Sequence, residues 1–166
     1  MHFVPIIREI HKSEIHFLEE MLYEAIYIPS GAKKLPKNII YNPELFLYIK
    51  DFGKTGDICL VAEIQGNLVG AAWSRLFTED EKGYGFIDTK TPELSMAVIE
   101  QYRHQGIGKL LLEGIIKKWM EQNYNQVSLS VDKQNYACRL YSKFGFGIYC
   151  SADKSAIMVK QFIEKK

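Results

Sequence analysis

The chain has 166 residues and a net charge of +1, from 21 Lys and Arg residues against 20 Asp and Glu residues. This balance argues against a dedicated nucleic-acid-binding protein, which usually carries a basic excess. The length and a hydrophobic content of 47% fit one globular domain over residues 1–166, and no apolar run is long enough to cross a bilayer. The three cysteines lack the spacing of a metal or redox pair and no secretory signal pattern is visible, so we expect a cytoplasmic protein.

Hydrophobic periodicity predicts a mixture of helices and strands without repeats or linkers. Ser13 and the Asn42-Pro43 pair are residue types that begin helices, Gly145 is a residue type that ends them, and residues 78–92 are a long charged loop. In chain order, the predicted elements are a strand at residues 3–9, helices at 13–26 and 42–52, strands at 58–64, 68–77 and 94–99, a helix at 109–122, a strand at 126–131, a helix at 135–144, and strands at 146–150 and 156–162. The pattern is that of one mixed α/β domain.

A glycine-containing turn at residues 103–108, with the sequence Arg-His-Gln-Gly-Ile-Gly, lies between a predicted strand and a predicted helix. Glycines at such a turn leave backbone N–H groups uncovered, and the start of a helix adds the positive end of its dipole. The turn therefore predicts a phosphate site. Because the loop is too short to surround a triphosphate, the expected ligand is a cofactor that carries a pyrophosphate.

Two common nucleotide motifs do not fit this turn. The dinucleotide fingerprint needs a third glycine, where Leu111 stands, and an acidic residue roughly twenty positions further on, for which Asp132 comes too late. A P-loop needs the pattern Gly-x-x-x-x-Gly-Lys-Ser/Thr, which the sequence lacks. A different pyrophosphate-bearing cofactor is therefore expected.

Four segments follow one another in an order that is more specific than any of them alone. They are the strand at residues 93–98, the turn Arg103-x-x-Gly106-x-Gly108, the strand at 127–131, and a helix that runs from Asn135 through Tyr141 to Gly145-Phe146. This ordered set resembles the GNAT superfamily of acyl-CoA-dependent N-acetyltransferases, and the hairpin at 59–77 resembles that family's central strands. The resemblance implies an α/β fold of the GNAT-like acyl-CoA N-acyltransferase type, with a central mixed sheet, flanking helices and splayed central strands.

The resemblance also implies acetyl-CoA as co-substrate, with no metal. The pyrophosphate would lie on the N–H groups of the turn, and pantetheine would pair with the strand before it like an added β-strand. Asn135 resembles a residue that contacts pantetheine, although an asparagine at a helix start is also a cap. The predicted cofactor-binding residues are Met96, Ala97, Val98, Arg103, His104, Gln105, Gly106, Ile107, Gly108, Lys109 and Asn135.

Two side chains are predicted to move protons. An amine with a pKa near ~10.4 must lose a proton before it attacks a thioester, and Glu93 is the predicted base; the alternative is a solvated glutamate at a strand edge. Tyr141 matches the family's general-acid tyrosine, and the alternative is packing on an apolar helix face. A backbone N–H at Ala97 or Val98 is expected to stabilise the oxyanion.

The acceptor is predicted to be a primary amine of a small molecule, bound near Trp73, Arg75 and Tyr84. Arg75 would hold a carboxylate of the acceptor, while ordinary core and hairpin packing is the alternative for all three residues. Neither nucleic acid nor membrane is expected as a partner, and a homodimer stays an open alternative. A function from a different class also stays open, namely a non-catalytic acyl-CoA-binding or regulatory module on the same scaffold.

Overall fold

A seven-stranded sheet organises the chain, and the computed structural model describes residues 3–162 of it. In chain order the elements are β1 (Ile6–Glu9), α1 (Phe17–Ala25), α2 (Pro43–Phe46), β2 (Ile58–Ile64), β3 (Asn67–Arg75), β4 (Glu93–Val98), α3 (Ile107–Glu121), β5 (Gln126–Asp132), α4 (Ala137–Lys143), β6 (Gly147–Ser151) and β7 (Ser155–Gln161). Short 3-10 turns precede α1, α2 and α3. The mixed α/β architecture is the one predicted.

The strand order is β1-β2-β3-β4-β5-β7-β6, and β4–β5 is the parallel pair among otherwise antiparallel neighbours. These two strands share a single register pair, Glu93 with Ser128, where the Ser128 N–H donates to the Pro92 carbonyl over 3.0 Å. Beyond that pair β4 and β5 separate. The predicted splay of the central strands is therefore confirmed, and it leaves one edge of β4 free of strand partners.

Helices cover both faces of the sheet. On one face, α3 buries Leu111, Ile115 and Trp119 against β2, β3 and β5, and the Trp119 indole N–H donates to the Ser74 hydroxyl over 2.9 Å. On the other face, α1 and the segment before β2 enclose a second cluster around Trp73. The glycine turn and the free edge of β4 lie where these layers meet, so the packed core on each side holds the candidate site in place.

Two helix predictions differ from the structure by four residues or more at one end. The predicted helix start at Ser13 is a 3-10 turn in the structure, and α1 begins four residues later. In this turn the Glu14 carboxylate accepts from the His11 N–H at 2.8 Å and pairs with Arg8 at 2.8 Å. The second helix, predicted to reach residue 52, ends at Phe46. The buried Arg75 side chain on β3 donates to the Leu47 and Lys50 carbonyls, which follow the helix. These carbonyls therefore accept from β3 and not from the N–H groups of a longer helix.

Candidate active site

The turn between β4 and α3 presents a row of unpaired backbone N–H groups. Leu110 makes the first bond of α3, to the Gly106 carbonyl at 3.2 Å, while no described residue accepts from the N–H groups of residues 104–109. The backbone is left-handed at His104 and Gly106, with φ values of 63° and 85°. A Cβ built on Gly106 would meet nothing within 4 Å. The turn is therefore open to a ligand and has the donors that an anion needs.

Arg103 braces the turn. Its guanidinium donates to the Val98 carbonyl at 2.8 Å and to the Glu24 carboxylate at 2.8 Å, and its backbone N–H donates to the Glu100 carbonyl at 3.2 Å. These contacts tie the end of β4 to α1 and place a negative charge beside the guanidinium. The predicted phosphate contact of Arg103 therefore stays a prediction, while its bracing of the turn is a feature of the structure.

Three other side chains of the turn are exposed. The His104 ring packs against the Tyr136 ring, with 4.7 Å between centroids, and the Gln105 amide donates to the Gln101 carbonyl over 3.2 Å. Lys109 is exposed in the first turn of α3. The surroundings of the open N–H groups are thus polar and reachable from solvent.

A cavity of about 500 Å³ runs from this turn along β4. One wall is formed by the end of α1 and the segment after it, and the opposite wall by the start of α4. The predicted cofactor residues that line the cavity are Met96, Ala97, Val98, Arg103, His104, Ile107, Gly108 and Asn135. The structure therefore brings the turn and the strand before it into one space, next to Tyr141, which also lines the cavity.

The free edge of β4 exposes the backbone groups of alternate residues. Ile99 donates its N–H to the Val69 carbonyl of β3 at 2.8 Å and Ala97 faces Ala71 in register, so odd-numbered residues bond to β3. Even-numbered Met96 and Val98 therefore direct their N–H and C=O groups to the side of the gap. Since Arg103 already uses the Val98 carbonyl, the Val98 N–H remains available. Of the two predicted oxyanion donors, Val98 is the one from whose N–H no residue between 3 and 162 accepts.

Tyr141 is buried at 7% exposure in α4, with its ring edge-on to Phe146 at 5.8 Å between centroids. Its hydroxyl makes no hydrogen bond to any described residue. Burial first, and then the nearby Cys138 and Tyr136, raises the pKa of this phenol. At neutral pH the hydroxyl is therefore a protonated donor with an unused hydrogen.

Glu93 lies at the closed end of the gap and is 2% exposed, so the alternative of a solvated edge residue is wrong. The Tyr48 hydroxyl donates to Oε2 of Glu93, whereas Oε1 has no hydrogen-bond partner within residues 3–162. Burial raises the pKa of Glu93 to about 7, against the opposing effects of the Tyr48 hydroxyl and the Gly85 backbone. Glu93 precedes the cavity-lining part of β4 and does not itself line the cavity.

Asn135 has the geometry of a cap. Its Oδ1 accepts from the Ala137 N–H over 2.9 Å, at the first residue of α4. The residue also lines the cavity, so its amide nitrogen lies near the space where pantetheine is predicted. The cap is a feature of the structure, and the cofactor contact stays a prediction.

Trp73 and Arg75, predicted to contact the acceptor, are buried in the core and already have hydrogen-bond partners there. The Trp73 indole N–H donates to the Tyr48 carbonyl over 3.2 Å, and this residue is 1% exposed. Arg75 is paired with Asp57 at 2.8 Å and lies over the Phe52 ring. Since neither side chain lines the cavity, this burial argues against the predicted acceptor contact and corresponds to the packing alternative for both residues.

Tyr84, the third predicted acceptor residue, is on the surface. It is 55% exposed, its hydroxyl donates to the Glu44 carboxylate over 2.9 Å, and its ring stacks on that of Tyr48. Tyr84 lies outside the cavity described above, and its contact with an acceptor stays a prediction.

Several site residues were not predicted from the sequence. Tyr48 binds Glu93 across 45 positions, and Glu24 pairs with Arg103 across 79 positions. Tyr23 lines the cavity, and its hydroxyl donates to the Leu35 carbonyl over 2.6 Å, which links α1 to the segment after it. No local motif marks these residues, because only the folded arrangement brings them to the site.

Within the described part of the chain, no three His, Cys, Asp or Glu side chains group in a way that would hold a metal ion. The helices found there are too short or too polar to cross a membrane.

The chain is similar to acetyltransferases along most of its length. Residues 20–146 match the model of the acetyltransferase (GNAT) family. An N-alpha-acetyltransferase of Sulfolobus acidocaldarius is 32% identical over 123 residues, which cover 68% of this chain and 67% of that protein.

Solved structures share the fold. The PaiA N-acetyltransferase of Thermoplasma acidophilum, crystallised in complex with coenzyme A, has a TM-score of 0.69 at 21% identity and covers 96% of this chain and 99% of its own. The yncA protein of Salmonella typhimurium, solved with acetyl-CoA, has a TM-score of 0.71 at 18% identity, covering 98% and 96%. With this fold and a family match over residues 20–146, the chain belongs to the acetyltransferase (GNAT) family.

Proposed function

We propose that the chain is an acetyl-CoA-dependent N-acetyltransferase that moves an acetyl group to a primary amine by direct attack in a ternary complex. One observation carries the proposal: a single cavity joins the open turn, the free edge of β4 and the Tyr141 side chain. Coenzyme A and acetyl-CoA in the similar structures support the identity of the donor. The single domain over residues 1–166 and a cytoplasmic location are part of the same proposal.

The residues present suit a pyrophosphate joined to a long amide-containing arm. The N–H groups of residues 104–109 would hold the pyrophosphate, helped by the positive end of the α3 dipole. The unpaired N–H and C=O groups of Met96 would hold pantetheine as an extra strand, with the Asn135 amide beside it. The bound thioester supplies an activated acyl group.

The chain supplies three groups for the transfer. Glu93, with a pKa of about 7, accepts the proton of the amine; because the residue does not line the cavity, a water relays that proton. The Val98 N–H stabilises the oxyanion, a contribution on the order of 3 kcal/mol for such a donor. Tyr141 donates its proton to the departing thiolate.

The acceptor is proposed to carry an α-amino group. The curated relative is named an N-alpha-acetyltransferase, which favours an α-amine over a side-chain amine. The sequence predicts a small molecule, and an α-amine at the end of a polypeptide is the second candidate, favoured by the same relative. The Tyr23 and Tyr27 side chains line the cavity wall formed by the end of α1 and the segment after it, where an acceptor would meet aromatic surface.

Thiol release from acetyl-CoA tests this proposal. The panel contains an amino-acid amide, a polyamine, a peptide with a free N-terminus, and the same peptide with its N-terminus blocked and a lysine retained. Turnover with the free α-amines and none with the blocked peptide is the expected result. Saturable binding of acetyl-CoA without turnover of any amine would instead support the non-catalytic acyl-CoA-binding module.

Replacing Tyr141 with phenylalanine is expected to lower kcat by about 10- to 100-fold, because the thiolate loses its proton donor. The affinity for acetyl-CoA, measured by calorimetry, should stay within about twofold, since phenylalanine keeps the edge contact with Phe146. Tyr149→Phe, at an exposed tyrosine on β6, is the matched control. Equal losses in kcat and affinity would assign Tyr141 to packing alone.

A further inference from the structure

We propose that Tyr48 is the positioning residue of the site: its hydroxyl holds Oε2 of Glu93 and leaves Oε1 as the atom that accepts the proton. This inference rests on the proposed function, in which Glu93 is the base. It adds a residue from outside β4 to the catalytic arrangement and assigns different roles to the two carboxylate oxygens.

The hydrogen bonds around Tyr48 define the orientation of its hydroxyl. The Tyr84 backbone N–H donates to the Tyr48 oxygen over 2.7 Å, and the Tyr48 hydroxyl lies against Oε2 of Glu93. A backbone N–H can only donate, so it occupies a lone pair of the phenol oxygen. The single hydroxyl proton of Tyr48 is therefore directed to Glu93, and the Tyr48 ring is held by an edge contact to Phe77 at 5.2 Å between centroids.

The other oxygen of Glu93 is left without a partner. Oε1 is buried and has no hydrogen bond of ordinary geometry to any residue between 3 and 162, although the nearby Gly85 backbone also favours the ionised carboxylate and lowers its pKa. Buried carboxylate oxygens are normally hydrogen-bonded, and since the Tyr48 hydroxyl holds Oε2, Oε1 is the oxygen left to take a proton. The backbone of Gly83 lies beside Oε1 and the Tyr48 hydroxyl so closely that a side chain there would meet both. This leaves room at Oε1 only for a very small group.

No cation competes with Tyr48 for Glu93 in the described structure. Arg75 faces Glu93 across the β3–β4 register, but its guanidinium is paired with Asp57. The Tyr84 hydroxyl is directed to Glu44 on the surface. Tyr48 is thus the side chain that stabilises the ionised form of Glu93, and its removal should raise the proton affinity of that carboxylate.

The test compares the pH profile of kcat/KM in the wild type and in Tyr48→Phe, which keeps the ring. The acid limb of the variant's profile is expected to move to higher pH by about one unit, because the ionised carboxylate of Glu93 loses a hydrogen bond. At pH values below the midpoint, the kcat/KM of the variant should be about tenfold lower than that of the wild type. Near pH 9 the two values should agree within about twofold. Tyr41→Phe is the matched control, because the Tyr41 hydroxyl also donates to a glutamate, Glu19, but on the surface; its profile should match the wild type.

A carboxyl ¹³C NMR titration separates this inference from the proposed function. The Glu93 signal, identified by its loss in Glu93→Gln, should titrate at higher pH in Tyr48→Phe than in the wild type. If that shift occurs while Glu93→Gln stays fully active, Tyr48 positions Glu93 but the base assignment fails. An unmoved titration with a uniform loss of activity at every pH would overturn the role of Tyr48.

A second variant keeps the test valid if Tyr48→Phe does not fold. 3-Fluorotyrosine placed at position 48 retains the ring and hydroxyl and makes the hydroxyl a stronger donor. The Glu93 titration and the acid limb should both move to lower pH, opposite to the effect of phenylalanine. Absence of any shift in this variant would overturn the inference.

Discussion

Replacing Glu93 with glutamine is expected to lower kcat/KM by about 10²- to 10³-fold near pH 8, as loss of a general base usually does. Glutamine has nearly the same shape and still accepts a hydrogen bond from Tyr48, so the fold should persist. The wild-type rate should fall as pH drops through about 7, the pKa to which burial raises Glu93, because only the ionised carboxylate accepts a proton. The variant should lose this limb of the pH profile.

The same substitution should increase stability above neutral pH. The pKa of Glu93 rises from 4.5 to about 7 on folding, so the folded chain binds this proton more tightly than the unfolded chain. The favourable contribution is complete below pH 4.5 and is lost as pH rises to about 7. At pH 8 the wild type should therefore have a free energy of unfolding lower than that of Glu93→Gln by roughly 3 kcal/mol.

Urea unfolding at pH 8 and at pH 5, combined with initial rates, checks both effects. Glu81→Gln, in the exposed acidic run before Gly83, is the matched control and should change neither quantity. Retained activity in Glu93→Gln would contradict the base assignment. A variant that is both less active and less stable at pH 8 would point to a structural role for the carboxylate.

Replacing Gly106 with glutamate is expected to weaken acetyl-CoA binding by about 100-fold or more, equivalent to roughly 2.7 kcal/mol. The added side chain would meet no protein atom within 4 Å of its Cβ, so a bound ligand is what it can crowd. Its carboxylate would also repel a pyrophosphate held by the neighbouring N–H groups. Calorimetric titration with acetyl-CoA measures the change.

A control is needed because Gly106 has a φ of 85°, a conformation that costs other residues about 1 kcal/mol. Gly66→Glu supplies it: Gly66 has a φ of 81°, its Cβ would also meet nothing within 4 Å, and it lies in the turn between β2 and β3. Both variants should lose similar stability, and only Gly106→Glu should lose affinity. Equal affinities in the two variants would contradict the phosphate site.

Local patterns predicted the features that depend on neighbouring residues. A run of β-rich residues bounded by glycines located β2 at residues 58–64, as in the structure. The glycines of the turn at 103–108 predicted uncovered N–H groups, because left-handed backbone and a helix start are properties of a few consecutive residues. The splay of β4 from β5 came from the family resemblance, since no local pattern encodes the distance between two strands.

Long-range contacts account for what could not be predicted. Arg75 looked free to bind a carboxylate, yet its partner Asp57 comes from the turn before β2. A solvated strand edge was the alternative for Glu93, but the loop before β4 and the segment after α2 bury it and supply Tyr48. Sequence alone identifies these side chains as polar, whereas their pairing depends on how distant segments pack.

The central claim is that the N–H groups of residues 104–109 and the free edge of β4 together hold acetyl-CoA. The most direct measurement follows backbone amide shifts of ¹⁵N-labelled protein during titration with acetyl-CoA. The largest saturable changes are expected at residues 104–109 and at the N–H groups of Met96 and Val98. Saturable binding that leaves these amides unchanged and shifts another surface would contradict the account.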